Sequence, residues 1–430
     1  VIVIAPVIAL SLAYVVALFV VSRQPRPPAQ RPPSHLFFVT MIPCLNEELV
    51  IESSLRRLAE FPPDRLGVLV IDDGSDDATP DLVRAWQVDH PNVTLLQRAL
   101  PEARQGKGKA LNAGFRHLRD SGAMTGRDPR DVVVLVLDAD GRLAPNALEE
   151  VSPFFRDPQA GAVQIGVRMY NADTSLLARL QDFEFVTYTE IFQRARQRVG
   201  SVGLGGNGQF ARLSALSDLG DDPWTDCLTE DLDLGLRLLV AGHVNNFCPT
   251  TYVAQQAVLS PRRLLRQRSR WFQGHLQCLQ RIPMILRSGL PLRAGLDLVQ
   301  HLISPIMVLL TSILPVLVAL SLIGTAISTP SALVRALLPP SPGLLLLAYL
   351  LGFGLSPIYA FAYWLRDGRI SFGRALLLAH AFSLYSYVWF PAGWRAVWAV
   401  ARGRRGWAKT LRTPALDPLG DVEPLAAAAL

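Results

Sequence analysis

The sequence predicts an α/β domain on a doubly wound, largely parallel sheet, flanked on both sides by membrane-spanning helices. Three observations predict it. Asp131-Val-Val-Val-Leu-Val-Leu-Asp-Ala-Asp140 is a continuous apolar run that stops at two carboxylates, as expected of a strand buried on both faces. Phe37–Pro43 and Gly67–Asp73 are shorter runs of the same kind, each followed by a helical segment, and such alternation builds a sheet covered by helices. Long apolar stretches collect at the two ends of the 430-residue chain, around a middle of ordinary soluble composition.

Half of the residues are hydrophobic and the net charge is +6. The arginines cluster beside apolar segments, which fits anchoring to anionic lipid rather than nucleic acid binding. Cys44, Cys227, Cys248 and Cys278 lack metal-ligand spacing and read as reduced thiols facing a cytosol.

Val1–Val21 has membrane-spanning length and is followed, not preceded, by Arg23, Arg26 and Arg31. That order predicts a transmembrane helix over 1–22 with its carboxyl end in the cytoplasm. Gln24–Pro33 is a stiff Pro-rich linker within 23–34. After the strand at Phe37–Pro43, a helix is expected from Asn46. After Gly67–Asp73, Gly74 marks a turn and Asp76–Pro80 opens the next helix. Asp72 and Asp73 at that strand end either cap the helix or accept hydrogen bonds from a base and ribose.

Gln105-Gly-Lys-Gly-Lys-Ala-Leu-Asn112 alternates glycine with lysine, either as a solvated basic turn or as a loop whose backbone approaches a phosphate. It lacks the spacing of a Walker P-loop. Asp138 and Asp140, one residue apart beyond a strand end, can present oxygens to one hard cation, Mg2+ or Mn2+, or simply begin a turn. Gly200–Arg212 is too glycine-rich for regular structure and suits close approach of backbone to a ligand. Glu230 and Asp231 fall in the first turn of a helix reaching Val240, where carboxylates suit the helix dipole whatever else they do.

Ser260–Gln277 is a basic segment with apolar residues at helical spacing, expected to lie at a membrane interface. His301–Ile327 and Gly343–Leu365 read as a transmembrane pair. Ala375–Val400 carries arginines on both flanks, so it is expected to break at Pro391 into a re-entrant or interfacial hairpin. The tail beyond Thr413 is expected to be disordered.

Taken together, Asp72-Asp-Gly-Ser, Lys107 ahead of Ala110-Leu-Asn112, Asp138-Ala-Asp140, Thr229-Glu-Asp231 and Gln267-Arg-Ser-Arg-Trp271 resemble the family-two glycosyltransferases. The likeness is to the membrane branch that includes cellulose, hyaluronan and poly-N-acetylglucosamine synthases. It covers roughly Phe37–Gln280 and implies a GT-A, Rossmann-like mixed sheet over 35–259. Interfacial helices with the Gln-x-x-Arg-Trp motif follow over 260–299, then a membrane region over 300–402 and a basic, then disordered tail over 403–430.

The resemblance further implies roles. Asp72 and Asp73 would hold the uracil and ribose of a UDP-sugar, Lys107 its diphosphate, and Asp138 and Asp140 the metal, with Asp138 also meeting the donor. Asp231 would be the general base. Gln267, Arg270 and Trp271 would close over the donor, Trp271 also holding the acceptor sugar with Gly206, Asn207, Gly208 and Glu230. One base opposite the leaving group implies single displacement with inversion.

The function expected is transfer of glucose or N-acetylglucosamine to a growing β-linked polysaccharide at the plasma membrane. The domain would be cytoplasmic, with an accessory secretion subunit as a possible partner. A glycolipid synthase is the alternative reading, and a non-catalytic nucleotide-sugar sensor a third. All rest on one geometric expectation: the carboxylates at 73, 138, 140 and 231 converge on a pocket overhung by Arg270 and Trp271.

Overall fold

In the computed structural model, residues 4–23, 35–122, 124–329 and 341–403 are described. The tail, most of the linker and the loop between the expected transmembrane pair lie outside them. One mixed sheet of eight strands organises the domain, in the order β3-β2-β1-β4-β7-β6-β8-β5. The strands are β1 (Phe37–Cys44), β2 (Leu66–Asp72), β3 (Val93–Gln97), β4 (Val132–Val136), β5 (Arg142–Leu143), β6 (Ala160–Met169), β7 (Gln209–Arg212) and β8 (Val244–Gln255).

The first four run parallel, and β7 reverses direction against both β4 and β6. Apolar residues on both strand faces are explained by two cores. Phe38, Ile42, Val68, Val70, Val133 and Leu135 pack on one side, and Val39, Met41, Leu69, Ile71, Val132, Val134 and Val136 on the other, following the two-residue period of a strand.

Because the chain winds from β1 outward to β3 and then returns to β4 on β1's other side, a crevice forms at the carboxyl ends of β1 and β4, where such sheets bind ligands. Around it stand α2 (Ile51–Leu58), α3 (Thr79–Asp89), α4 (Lys107–Asp120), α5 (Leu176–Thr187), α6 (Arg194–Val199), α7 (Glu230–Val240) and α8 (Pro261–Cys278). The helix expected from Asn46 begins at Ile51, since Asn46 takes a positive φ of 55° and Glu47–Val50 form a turn. Lys107 and Gly108 open α4 instead of forming a loop.

The apolar N-terminal segment forms helix α1 (Ile4–Ser22), and its Tyr14 hydroxyl donates to Asp297 at 2.6 Å. Among the described residues, three helical runs are long and apolar enough to cross a membrane: α9 (Leu292–Ser328), α10 (Leu345–Asp367) and the run Phe372–Ala401. At 1.5 Å per residue α9 is about 55 Å long against a hydrocarbon layer of about 30 Å. Its first turns, with Ala294, Asp297, Leu298 and Leu302 buried, therefore belong to the domain, and the expected boundary at 299/300 falls inside one helix.

Phe372–Ala401 breaks at a 3₁₀ turn, Ser386–Val388, between α11 (Phe372–Tyr385) and α12 (Trp389–Ala401). Pro391 itself sits in the first turn of α12, where its missing N–H costs nothing. Likewise α8 is not a surface helix: Arg268 is 0 % exposed and Ser269, Phe272, Gln273 and Gly274 are buried, while Arg262 is exposed.

Candidate active site

A pocket of about 510 Å³ opens at the crevice. Its walls bring together Asp73, Lys107, Asp138, Gly206, Asn207, Glu230, Asp231, Gln267, Arg270 and Trp271, which lie almost 200 residues apart in sequence. Element ends deliver the acids and the lysine, Asp73 by β2, Asp138 by β4, Lys107 by the start of α4 and the acid pair by the start of α7, while Gln267, Arg270 and Trp271 come from the middle of α8.

Lys107 is the hub. Its Nζ lies 2.6 Å from Asp138 Oδ1, 2.7 Å from the Gly206 carbonyl and 3.7 Å from Glu230 Oε1. Burial disfavours its charge, but the Asp138 and Glu230 carboxylates outweigh that and raise its pKa. Gly108 serves packing: a Cβ there would stand 2.4 Å from the Thr225 carbonyl oxygen. Lys109 turns outward to Asp226.

The glycine-rich segment is held from below. Gln164 on β6 accepts from the Gly205 N–H and donates to the Asn207 carbonyl, while Gln193 donates to the Gly203 carbonyl. Asn207 in turn accepts from the Asp138 N–H and donates to Gln255. Gly206 keeps the two charged groups in place: a Cβ there would meet Lys107 Nζ at 3.2 Å and Asp231 Oδ2 at 3.3 Å, and both would have to give way. Gly208 is not in the pocket wall. Its φ of +72° and the Ile165 and Val253 side chains under 3 Å from any added Cβ make it a fixture of the sheet.

Asp72 and Asp140 also stay out of the wall. Asp72 accepts from the Ser75 N–H at 3.0 Å, so it holds the turn, and Asp73 is the member of the pair in the pocket. Burial raises the Asp73 pKa, opposed by its ion pair with Arg98. Asp140 is 2 % exposed and accepts from the Gln256 N–H at 2.9 Å. Among the described residues no group of three or more His, Cys, Asp or Glu is arranged for a metal. Asp138, 29 % exposed at its side chain, is the carboxylate of the pair that can offer an oxygen to a cation also bound by phosphate.

At the start of α7, burial pushes Glu230 up to about 7, helped by Asp231 and opposed by Lys107. Burial likewise raises Asp231, against the N–H of Leu232, which donates to it at 2.8 Å. Over these acids lies α8. Arg268, one residue from Gln267, stacks its guanidinium 4.1 Å from the Trp271 ring centroid and pairs with Glu184, which also accepts from Tyr385 and from Trp389.

The sequence profile of the family described as glycosyltransferase-like family 2 matches residues 33–274. The chain belongs to this family. The family-2 match is reinforced by beta-monoglucosyldiacylglycerol synthase of Trichormus variabilis, 30% identical over 300 residues, which are 67% of this chain and 60% of that protein. Poly-beta-1,6-N-acetyl-D-glucosamine synthase of Staphylococcus aureus is 26% identical over 244 residues, 56% of this chain and 55% of that one. The chain thus spans about 60% of the length of the first relative and about half of the second. The mannosyltransferase PcManGT from Pyrobaculum calidifontis, solved with GDP-Man and Mn2+, superposes with a TM-score of 0.59 at 21% identity, over 89% of this chain and 99% of that one. The family-2 domain therefore has the GT-A fold.

The pocket also has walls that the sequence did not single out: Glu47, Glu184, Phe185, Tyr188, His275, His301, Ser304, Val308 and Trp389. One signal was legible in principle, the spacing of Trp271 and His275 one turn apart on α8. Tyr188 opens a π-helical turn, Tyr188–Gln193, a distortion frequent at functional sites.

Proposed function

We propose that this protein transfers a sugar, with inversion, from a UDP-sugar to a hydroxyl group of an acceptor lipid at the membrane surface. The observation that carries the acceptor is the pocket's continuity. It runs from Asp73, Lys107 and Asp138 to His301, Ser304 and Val308 of α9 and Trp389 of α12, both apolar helices, so an amphiphile can place its headgroup beside Asp231 while its chains stay between helices. The glycolipid-synthesising relative supports the same reading.

At the nucleotide end Asp73 accepts hydrogen bonds from base or ribose. Lys107 and Arg270 stand where the diphosphate leaves, and fixed cations in a poorly hydrated site stabilise its growing charge. Asp138 would hold Mg2+ or Mn2+, which when bound would supply Lewis-acid stabilisation of the leaving group. Asp231 takes the proton of the acceptor hydroxyl as its oxygen bonds to the anomeric carbon and the C–O bond to UDP breaks. A raised carboxylate pKa suits a base working near neutrality. No side chain is needed as a nucleophile, so an α-linked donor gives a β product.

Extension of a β-linked polysaccharide is a second reading, favoured by the aromatic wall of Phe185, Trp271 and Trp389, on which sugar rings can stack. A secretion subunit would belong to that reading. In both, the arginines that follow the N-terminal helix and α10 in the sequence support a domain on the cytoplasmic side of the plasma membrane. Incubating the purified protein with labelled UDP-glucose or UDP-N-acetylglucosamine and sizing the product decides. Label in the chloroform phase supports the lipid acceptor, high polymer the second reading, and no sugar transfer with either donor would overturn both.

A further inference from the structure

The far half of the pocket carries two imidazoles that the chemistry above does not use. His275, on α8 one turn beyond Trp271, and His301, on α9, both line the cavity and meet edge to face, ring centroids 5.3 Å apart at 82°. The hydrogen-bond pattern fixes one tautomer. His275 Nδ1 lies 3.2 Å from the Trp271 carbonyl oxygen, which can only accept, so Nδ1 carries the proton. Burial holds the ring's pKa below the ordinary histidine value, so it is neutral, and Nε2 keeps its lone pair.

The charges around this pair are already matched. Arg268 is paired with Glu184. Arg196, the cation whose field reaches both histidines, is ion-paired to Asp297, which also accepts from Ser201 and Tyr14. Ser304 is likewise occupied: Pro305 cannot donate to the carbonyl four residues back, and the Ser304 hydroxyl donates to that His301 carbonyl instead, at 2.7 Å. A phosphate here would thus meet cations held by carboxylates. A hydroxyl would meet a neutral ring nitrogen with a lone pair, beside the apolar Val308 and Phe272.

We propose that His275 and His301 form the polar rung of the acceptor subsite, with His275 Nε2 accepting a hydrogen bond from a hydroxyl of an uncharged acceptor. The pair thereby selects neutral polyol-headed amphiphiles over phosphate-bearing ones. This rests on the sugar-transfer reading with a lipid acceptor. In it, one acceptor hydroxyl goes to Asp231 and a second donates to His275 Nε2, setting which oxygen is presented for attack.

The test uses the full chain in lipid nanodiscs, with labelled UDP-sugar and two acceptors: a neutral monoacylglycerol, which has one hydroxyl for Asp231 and one for His275, and a polyprenyl phosphate. Thermal stabilisation by UDP checks that each variant is folded. His275→Leu should raise the KM for the neutral acceptor about tenfold, the worth of one hydrogen bond near the upper end of its range, with the donor KM unchanged. His275→Gln, which restores an acceptor oxygen, should recover most of the loss. If His275→Leu fails to fold, His275→Phe, a ring without nitrogen, replaces it with the same expectation.

An acceptor KM within twofold of the wild type, an equal rise in donor KM, or a wild-type preference for the phosphate-bearing lipid would overturn the histidine proposal alone. A wild-type protein inert toward both lipids would overturn the lipid-acceptor reading, and the proposal with it.

Discussion

Lys107 Nζ stands 2.6 Å from Asp138 Oδ1, joining the start of one helix to the end of the central strand on the floor of the pocket. The same ammonium reaches the Gly206 carbonyl and Glu230, so it is fixed before any donor arrives. A preformed cation need not reorganise when the diphosphate departs. Lys107→Met should therefore lower kcat/KM for the donor by about 10²–10³, the loss typical of one lost electrostatic stabiliser. Initial rates with the UDP-sugar varied at fixed acceptor give the number, and a loss below fivefold would remove Lys107 from the leaving-group role.

The acid pair at the head of α7 makes a pH prediction. Glu230 in the folded protein titrates at about 7, whereas an unfolded glutamate titrates at about 4.3. Between those values the folded chain holds a proton that the unfolded chain has released. The stability this group contributes is full below the unfolded value and is lost as pH rises through about 7. Glu230→Gln should flatten the fall of Tm between pH 5 and pH 8 and leave the protein more stable at pH 8, by on the order of 2 kcal/mol. Tm curves of wild type and variant that run parallel would contradict it.

Turnover should follow the opposite sign, because a carboxylate proposed as the base, Asp231, can take a proton only when ionised. With its pKa raised by burial, kcat should climb with pH through the range in which the pair loses its protons, the apparent values belonging to the pair. Asp231→Asn should abolish turnover and keep UDP binding, measured by thermal shift. A variant that still turns over would place the base elsewhere, and one that lost UDP binding would make Asp231 a donor ligand.

Arg268 is expected to act by holding Trp271 in position. Its guanidinium lies between Trp271 at 4.1 Å and Trp389 at 5.4 Å, and its charge is met by Glu184. A flat cation fits between rings as an ammonium does not, so Arg268→Lys should not be conservative. We expect its acceptor KM to rise several-fold with donor KM unchanged. Arg268→Met should destabilise the protein by about 3–5 kcal/mol by leaving Glu184 without its cation. Wild-type kinetics in Arg268→Lys would show that the charge alone matters.

The parts of the site legible in the sequence were those with strong local grammar. The run ending in Asp138, the pair Asp72-Asp73, and Glu230-Asp231 at a helix start were visible because burial and turn chemistry act over a few residues. Which carboxylate of each pair faces the pocket was not, since that depends on contacts with Ser75 and Gln256, three and over a hundred residues away. β6 carries Gly161, Gln164, Gly166 and Arg168 among its apolar residues, so its strand signal is diluted. The acceptor end escaped for a related reason. His275, His301 and Trp389 look like ordinary residues of helices that are apolar or basic for other reasons, and only the packing of α8, α9 and α12 brings them together.

The seat of α8 over the acid pair turns on a glycine. A Cβ on Gly274 of α8 would stand 2.6 Å from Thr229 N, Cγ2 and Oγ1, closer than carbon atoms come in folded proteins, and one of those atoms is backbone. The contact brings α8 against the residue before Glu230, and Arg270 and Trp271 lie one turn earlier on the same helix. Gly274→Ala must push the helix away from the acid pair by several tenths of an ångström, moving Arg270 and Trp271 relative to Asp231. Displacements of about 1 Å cost on the order of 10² in rate, so kcat should fall steeply while far-ultraviolet circular dichroism stays that of the wild type. Trimming Thr229 to serine should not rescue it, because the backbone nitrogen remains in the way. Gly295→Ala is the control, a glycine with nothing within 4 Å of an added Cβ, and should leave turnover unchanged. Equal losses in both variants would mean that helix propensity or membrane insertion, not the α8–Thr229 contact, sets the rate.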